Sequence, residues 1–343
     1  MIDSKITSLF CCFFLVSLAP ALAVDLVTNS PTTNIETSGA KQLTLEELKL
    51  FDNSDAGTTK ATLDDIAARI KAETGLEQPR ALPESDKQKI ERAFDQGLAA
   101  QYDVQTLLDA GVFTFRPIVN LHPNSVKSDD DKSVRKRDGK PLEIDNSVWG
   151  KKSLPSEIRF GVIHSTEDGA AGAAKTIDMW NTDAAAGKRS SSTPFVIGRA
   201  LSGREIYVTA DFETRWQRHC SSKLTARPDL VNWTSVGVEM EHSTEKNIDY
   251  TDEEMLNIAR LWTYIQQRSK LADNRLVTHG ELQGYLPRDH VSFRSDPEGF
   301  NWYLFGKEML ALRKKSGFTP PDSAIADVKT IPQVVLQVCA QEK

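Results

Sequence analysis

The run Ile158–His164, I-R-F-G-V-I-H, constrains the fold of this chain more than any other stretch. It is apolar at both alternating parities apart from Arg159 and the terminal His164, follows Pro155, and gives way to polar residues. That is the pattern of a strand covered on both faces, so the fold needs a layer on each side of a sheet. The residues that follow supply those layers. Ala170 to Ala186 reads as an Ala-rich helix carrying Ile177 and Trp180. P-F-V-I-G-R-A-L-S-G-R-E-I-Y-V, from Pro194 to Val208, reads as two strands joined by a turn at Ser202-Gly203. V-G-V-E-M-E, from Val236 to Glu241, is another strand. Thr251 and Glu254 form a capping box for a helix whose apolar face is Met255, Ile258, Leu261, Trp262 and Ile265. Leu276 and Val277 make a short strand that delivers His279. The expected class is α/β, a central mixed β-sheet flanked by helices, the hairpin making it mixed rather than purely parallel.

The rest of the chain divides around this domain. Residues 1–23 join a short polar start to an apolar run closing on Ala21-Leu22-Ala23, which reads as an export signal, so the mature chain is expected to begin near Val24 in the periplasm or outside the cell. Residues 24–40 read as an unstructured leader. Residues 41–119 are expected to form a small α-helical module. Its helices are one with Leu45 and Leu48, one from Thr62 through Ile66 and Ile70 to Gly75, one from Ser85 carrying Ile90, Phe94 and Leu98, and one from Asp103 to Ala110 closed by Gly111. Residues 120–150, acidic then basic, read as a linker or long surface loop, residues 151–316 as the domain built on this sheet, and 317–343 as a C-terminal tail. With 39% hydrophobic and 26% charged residues, wholesale disorder is excluded, and a net charge of -6 gives no electrostatic footprint for nucleic acid. No membrane span is expected after signal removal. The mature chain keeps Cys220 and Cys339, an even count suited to a disulfide in an oxidising compartment.

The chemistry gathers between Val277 and Trp302, where His279, Glu281, His290, Arg294 and Asp296 fall within one stretch that answers the distant His164. His164 shares the parity of Phe160 and Val162 at a strand end, and Asp296 sits in S-D-P-E-G, where Pro297 and Gly299 suit a tight turn. Two imidazoles and a carboxylate from separate loops suit a catalytic zinc, which keeps a fourth position open. The chain has no H-E-x-x-H and no G-x-S-x-G, which removes the commonest zinc-peptidase and serine-hydrolase patterns. Alternation along V-G-V-E-M-E puts Gly237, Glu239 and Glu241 on one face and Val236, Val238 and Met240 on the other, selecting a face but not which acid would act.

Taken in order, these pieces resemble the zinc-dependent N-acetylmuramoyl-L-alanine amidases, a family that includes phage lysozyme-type amidases and is related to animal peptidoglycan recognition proteins. The resemblance runs through V-I-H at His164, the hairpin, R-W-Q-R-H with Trp216 and His219, G-V-E at Glu239, the helix from Thr251, V-T-H at His279, R-S-D ending at Asp296, and F-N-W ending at Trp302. It covers roughly residues 158–305 and does not reach the N-terminal helices. It implies that His164, His279 and Asp296 bind zinc, that Glu239 activates the attacking water, and that Arg294 steadies the developing oxyanion. It further implies that Trp216 and His219 contact substrate, which would be peptidoglycan or muropeptides. Two departures stand out: Arg294 occupies a position usually held by Lys in bacterial members, and the longer segment before Asp296 contains His290, an alternative ligand. His122 and His242 are expected to be structural or exposed. Some relatives bind muropeptides without cutting them, typically after losing a ligand; this chain keeps all three.

Overall fold

The computed structural model describes residues 63–118, 136–137, 140–141, 149–151, 158–166, 172–185, 191–199, 203–220, 232, 234–242, 249–283 and 296–321. The described chain begins with helices α1 (Leu63–Thr74), α2 (Glu84–Asp95) and α3 (Val104–Asp109). Glycines in the left-handed region end α1 at Gly75 (φ 79°) and follow α3 at Gly111 (φ 77°), while the Asp103 side chain accepts the Thr106 N–H at 2.7 Å to cap α3. Helix α2 stops before Gly97, so Leu98, expected on its apolar face, falls outside the helix and is exposed. Strands β1 (Thr114–Phe115), β2 (Lys136–Arg137), β3 (Lys140–Pro141), β4 (Trp149–Lys151) and β5 (Phe160–Ser165) follow, then helix α4 (Ala173–Ala185). The hairpin is β6 (Phe195–Ile197) and β7 (Ile206–Val208); after it come β8 (Arg215–Gln217) and β9 (Ser235–Met240). Helix α5 (Asp252–Ser269), strand β10 (Leu276–Thr278), and helices α6 (His279–Gln283) and α7 (Trp302–Ser316) complete the order.

Six strands form one sheet in the order β1-β7-β6-β9-β5-β10. The β6–β7 hairpin pairs antiparallel and every other neighbour is parallel, so the sheet is mixed as the sequence pattern requires. Strand β4 pairs with β8, and β2 with β3, so the segment from 120 to 150, expected as linker or loop, contains short ladders.

One face of the sheet carries the main core. Ile163, Phe195, Ile197, Val236, Val238 and Met240 pack there against Met255, Ile258, Trp262 and Ile265 of α5 and Met309 and Leu312 of α7. Gly161 lets the helix come close: a Cβ at that position would lie 2.2 Å from the Trp262 ring. The N-terminal helices do not stand apart as a module of their own, because Ile70, Phe94, Leu107, Leu108 and Phe113 belong to this same core. Phe113 meets Phe94 edge-on at 5.4 Å and Phe195 at 5.6 Å, and Tyr264 donates its hydroxyl proton to the Tyr102 carbonyl at 3.0 Å. Burial of each such side chain stabilises by up to about 1.5–3 kcal/mol, which fixes the sheet rigidly from this side. Helix α5 begins with the expected capping box: the Thr251 N–H donates to Glu254 Oε2 at 2.7 Å and the Glu254 N–H to Thr251 Oγ1 at 3.1 Å.

On the opposite face, among the described residues, α4 packs through Ala173, Ile177 and Trp180 against Val196 and Ile118. The same face carries Phe160 and Val162 of β5 and, at the end of that strand, His164 and the site. Among the described residues no helix is long and apolar enough to cross a membrane. Cys220 is buried, whereas Cys339 lies outside the described residues, as do His122, the export signal, the leader, the helix expected at Leu45 and the tail beyond residue 321.

Candidate metal centre

Parallel pairing gathers the carboxyl ends of β9, β5 and β10 along one edge of the sheet. His164 and Glu239 are register partners across β5 and β9, so their side chains leave the same face side by side. Thr278 of β10 is the register partner of Ile163, so the next residue, His279, arrives level with His164. Asp296 reaches the same point from a loop. Its carbonyl accepts the Gly280 N–H at 2.8 Å, its Oδ2 accepts the Ser165 N–H at 3.3 Å, and the peptide to Pro297 is cis.

These placements bring three expected ligands together. His279 Nδ1 lies 3.0 Å from Asp296 Oδ1 and 3.2 Å from Oδ2, and His164 Nδ1 lies 3.6 Å from Oδ2. One donor atom from each residue falls within 4.8 Å of the others. Donors on a tetrahedral ion with bonds of about 2.0–2.1 Å stand roughly 3.3 Å apart, so two imidazoles and a carboxylate at these separations fit zinc with little movement. His164, Asp296 and His279 are 3%, 6% and 9% exposed, so the donor set is almost fully buried.

The electrostatics suit a cation. Burial, followed by the neighbouring His279, pushes the His164 imidazolium down to about 4, so the ring is neutral at pH 7 and offers a lone pair. Burial alone would raise the Asp296 carboxyl, but its contacts with the His164 and His279 imidazoles outweigh burial and hold that group well below the usual carboxylate range.

The two acids that alternation left open occupy different surroundings. Glu241 Oε2 accepts the backbone N–H groups of Ala173 and Arg199, each at 3.1 Å, tying α4 and the end of β6 to β9. Glu239 is half-buried beside His164. His219, expected at the substrate, packs against His164: the ring is buried, Nδ1 is 2.9 Å from His164 Nε2, and Nε2 is 2.8 Å from Ser235 Oγ. Cys220 Sγ is 3.2 Å from the same Nδ1, which makes His164, His219 and Cys220 a second possible donor set sharing His164 with the first. Trp216 lies in β8 with its backbone opposite Gly150. Arg294 and the alternative ligand His290 lie outside the described residues. His242, expected to be structural or exposed, is buried and stacked on Tyr250 at 4.4 Å.

Sequence reasoning passed over Asn232 and Ser235, and placed Gly237 on the face of Glu239 without a role. Asn232 Oδ1 accepts the backbone N–H groups of His219 and Cys220 at 3.1 and 2.9 Å, and its Nδ2 donates to the Cys220 carbonyl at 3.1 Å, fixing the turn that carries both side chains. A Cβ on Gly237 would lie 2.7 Å from His219 Cγ. Glycine inside a strand pattern, on the parity of Glu239, was the one available signal that another group approaches closely there.

Residues 154–299 match the family described as N-acetylmuramoyl-L-alanine amidase. Among solved structures the chain is similar to a mutant endolysin from Bacillus subtilis, with 17% identity over 40% of this chain and 84% of that one and a TM-score of 0.29. It is also similar to a selenomethionine derivative of AmpD, with 18% identity over 47% of this chain and 89% of that one and a TM-score of 0.34. No curated protein sequence matches the chain. The segment that matches this family model, residues 154–299, contains His164, Glu239, His279 and Asp296.

Proposed function

We propose that this protein is an exported, zinc-dependent N-acetylmuramoyl-L-alanine amidase that hydrolyses the amide between the muramoyl lactyl group and L-alanine of peptidoglycan. The observation that carries the reading is the convergence of His164 Nδ1, His279 Nδ1 and the Asp296 carboxylate, with Glu239 in register beside His164. His164, His279 and Asp296 would hold the metal, and their donor types and separations fit it. Zinc bound there would polarise the amide carbonyl and make a water acidic enough to attack at neutral pH.

The remaining work falls to the chain's own residues. Glu239 takes the proton of the attacking water and returns it to the departing L-alanine nitrogen, so the C–N bond breaks to leave a lactyl carboxylate and a free amine. The neutral state of His164 and the low proton affinity of Asp296 keep both from competing for that proton near pH 7. Arg294 supplies positive charge opposite the developing oxyanion, the role that suits a basic residue two positions before Asp296. The apolar start of the chain, closing on Ala21-Leu22-Ala23, supports delivery to the compartment where the wall lies.

Digestion of purified peptidoglycan, followed by mass spectrometry of the soluble fraction, tests the reading. The wild type should release stem peptides with a free L-alanine amino terminus and leave intact glycan strands, and Glu239→Gln should release almost none. Sugar-linked fragments alone, or no products from a zinc-loaded wild type, would refute it.

A further inference from the structure

Outside the donor triad, the best-built polar cluster among the described residues is the one beside His164. His219 stands with its ring edge-on to that of His164, centroids 5.0 Å apart, and its Nδ1 is 2.9 Å from His164 Nε2. On its far side, His219 Nε2 is 2.8 Å from Ser235 Oγ at the start of β9. The seat is shaped for the ring: Gly237 leaves out the side chain that would collide with it, and Asn232 holds the backbone N–H groups on both sides of the His219–Cys220 peptide. These groups are buried, so each hydrogen bond is made away from competing water.

We propose that His219 is a positioning residue, whose Nδ1 accepts the Nε2 proton of His164 and thereby fixes the His164 tautomer and ring plane that present Nδ1 to the metal. This rests on the reading that His164, His279 and Asp296 hold zinc. A neutral imidazole has one N–H, and if it sits on Nε2 then Nδ1 carries the lone pair on the Asp296 side. His219 in turn places its own proton on Nε2 and donates it to Ser235 Oγ. The order Ser235, His219, His164 then has one direction only. A weaker donor, the Cys220 thiol at 3.2 Å, shares the His219 acceptor, and its place in the chain is secondary. Groups that orient metal ligands in this way are worth roughly 10- to 100-fold in metal affinity.

The test measures zinc affinity of the full mature chain by competition with a chromophoric chelator, for wild type, His219→Leu, His219→Asn, Ser235→Ala and His279→Ala. Asn places an oxygen acceptor where His219 Nδ1 stands, and Leu fills the space without one. His219→Leu should weaken zinc binding by about 10- to 100-fold and His219→Asn should regain most of the loss. Ser235→Ala should fall between Leu and wild type. Nitrogen NMR of the zinc-loaded wild type should find the His164 proton on Nε2. Melting of the metal-free variants is measured in parallel, so a loss explained by unfolding is recognised by a lowered melting temperature. Wild-type affinity in His219→Leu, or equal losses in the Leu and Asn variants, would overturn the proposal. So would a thiolate-to-metal absorption band with cadmium that disappears in Cys220→Ser, because the pair would then bind metal directly. If the wild type binds zinc no better than His279→Ala, the metal site itself fails; if the wild type binds normally and only the His219 result is flat, the failure is confined to this proposal.

Discussion

The two faces of one pair of strands have opposite fates. On β5 and β9, Ile163, Val236, Val238 and Met240 point into a core shared by α5, α7 and the N-terminal helices, while one residue over, His164, Gly237 and Glu239 point to the face where, among the described residues, α4 packs on Val196. The sealed face holds the backbone still; the other spends that rigidity on placing ionisable groups. The alternation of a strand thus lets a single segment serve both stability and chemistry, and substitutions one residue apart should separate the two.

The largest expected effect is on the sealed face. Phe195, fully buried and 5.6 Å from both Phe113 and Phe212, should lose about 3–5 kcal/mol of stability on change to Ala, measured by denaturant unfolding. Turnover per folded molecule should stay near wild type. On the open face the pattern reverses: Glu239→Gln should reduce turnover at least about 100-fold, equivalent to about 2.7 kcal/mol, with unchanged melting and zinc content. Glu241→Gln weakens two backbone contacts instead and should cost stability by about 1 kcal/mol while sparing turnover. If Glu241→Gln proves inactive and Glu239→Gln does not, the assignment of the acid is reversed although the faces stand.

A third effect concerns an acid on the sealed side. Glu254 is buried in its capping box with Oε1 lacking a hydrogen bond, and burial raises its carboxyl to about 7 despite the Thr251 contacts that favour ionisation. A folded-state value above the unfolded one, near 4.5, means the folded protein holds the proton more tightly. Stability from this group is therefore full below about pH 4.5 and is lost as pH rises through 7, by on the order of 1 to 3 kcal/mol. Glu254→Gln keeps the cap and should flatten that part of the stability profile; an unchanged slope would show that the carboxyl is solvated after all. The smallest effect belongs to the Arg116–Asp178 pair, which fastens the chain after β1 to α4 with contacts of 2.5 and 3.0 Å but is largely exposed. Asp178→Asn should cost no more than about 1 kcal/mol, and less at high salt.

Much of this was legible because periodicity and punctuation are local. The strand from Phe160, the capping box at Thr251, the glycine stops at Gly75 and Gly111, and the mixed sheet could all be read from neighbouring residues. Leu98 misled because Gly97 turns the chain left-handed one residue earlier, an event that helical spacing does not register. The N-terminal helices looked separable because apolar faces such as Ile66 and Ile70 do not say what they pack on; the partner proved to be the sheet's own core. At the site, His164, His279 and Asp296 stood out by residue type. The seat of His219 did not, since it depends on an absent Cβ at Gly237, an amide at Asn232 and a hydroxyl at Ser235, all brought together only by the fold.

X-ray absorption at the zinc edge of the purified, zinc-loaded protein tests the central claim most directly, because of the two donor sets that share His164 only the one with Cys220 contains sulfur. The triad His164, His279 and Asp296 predicts a first shell of nitrogen and oxygen alone at about 2.0–2.1 Å, lost in His279→Ala and kept in Cys220→Ser. A sulfur scatterer at about 2.3 Å, abolished by Cys220→Ser and indifferent to His279→Ala, would contradict it.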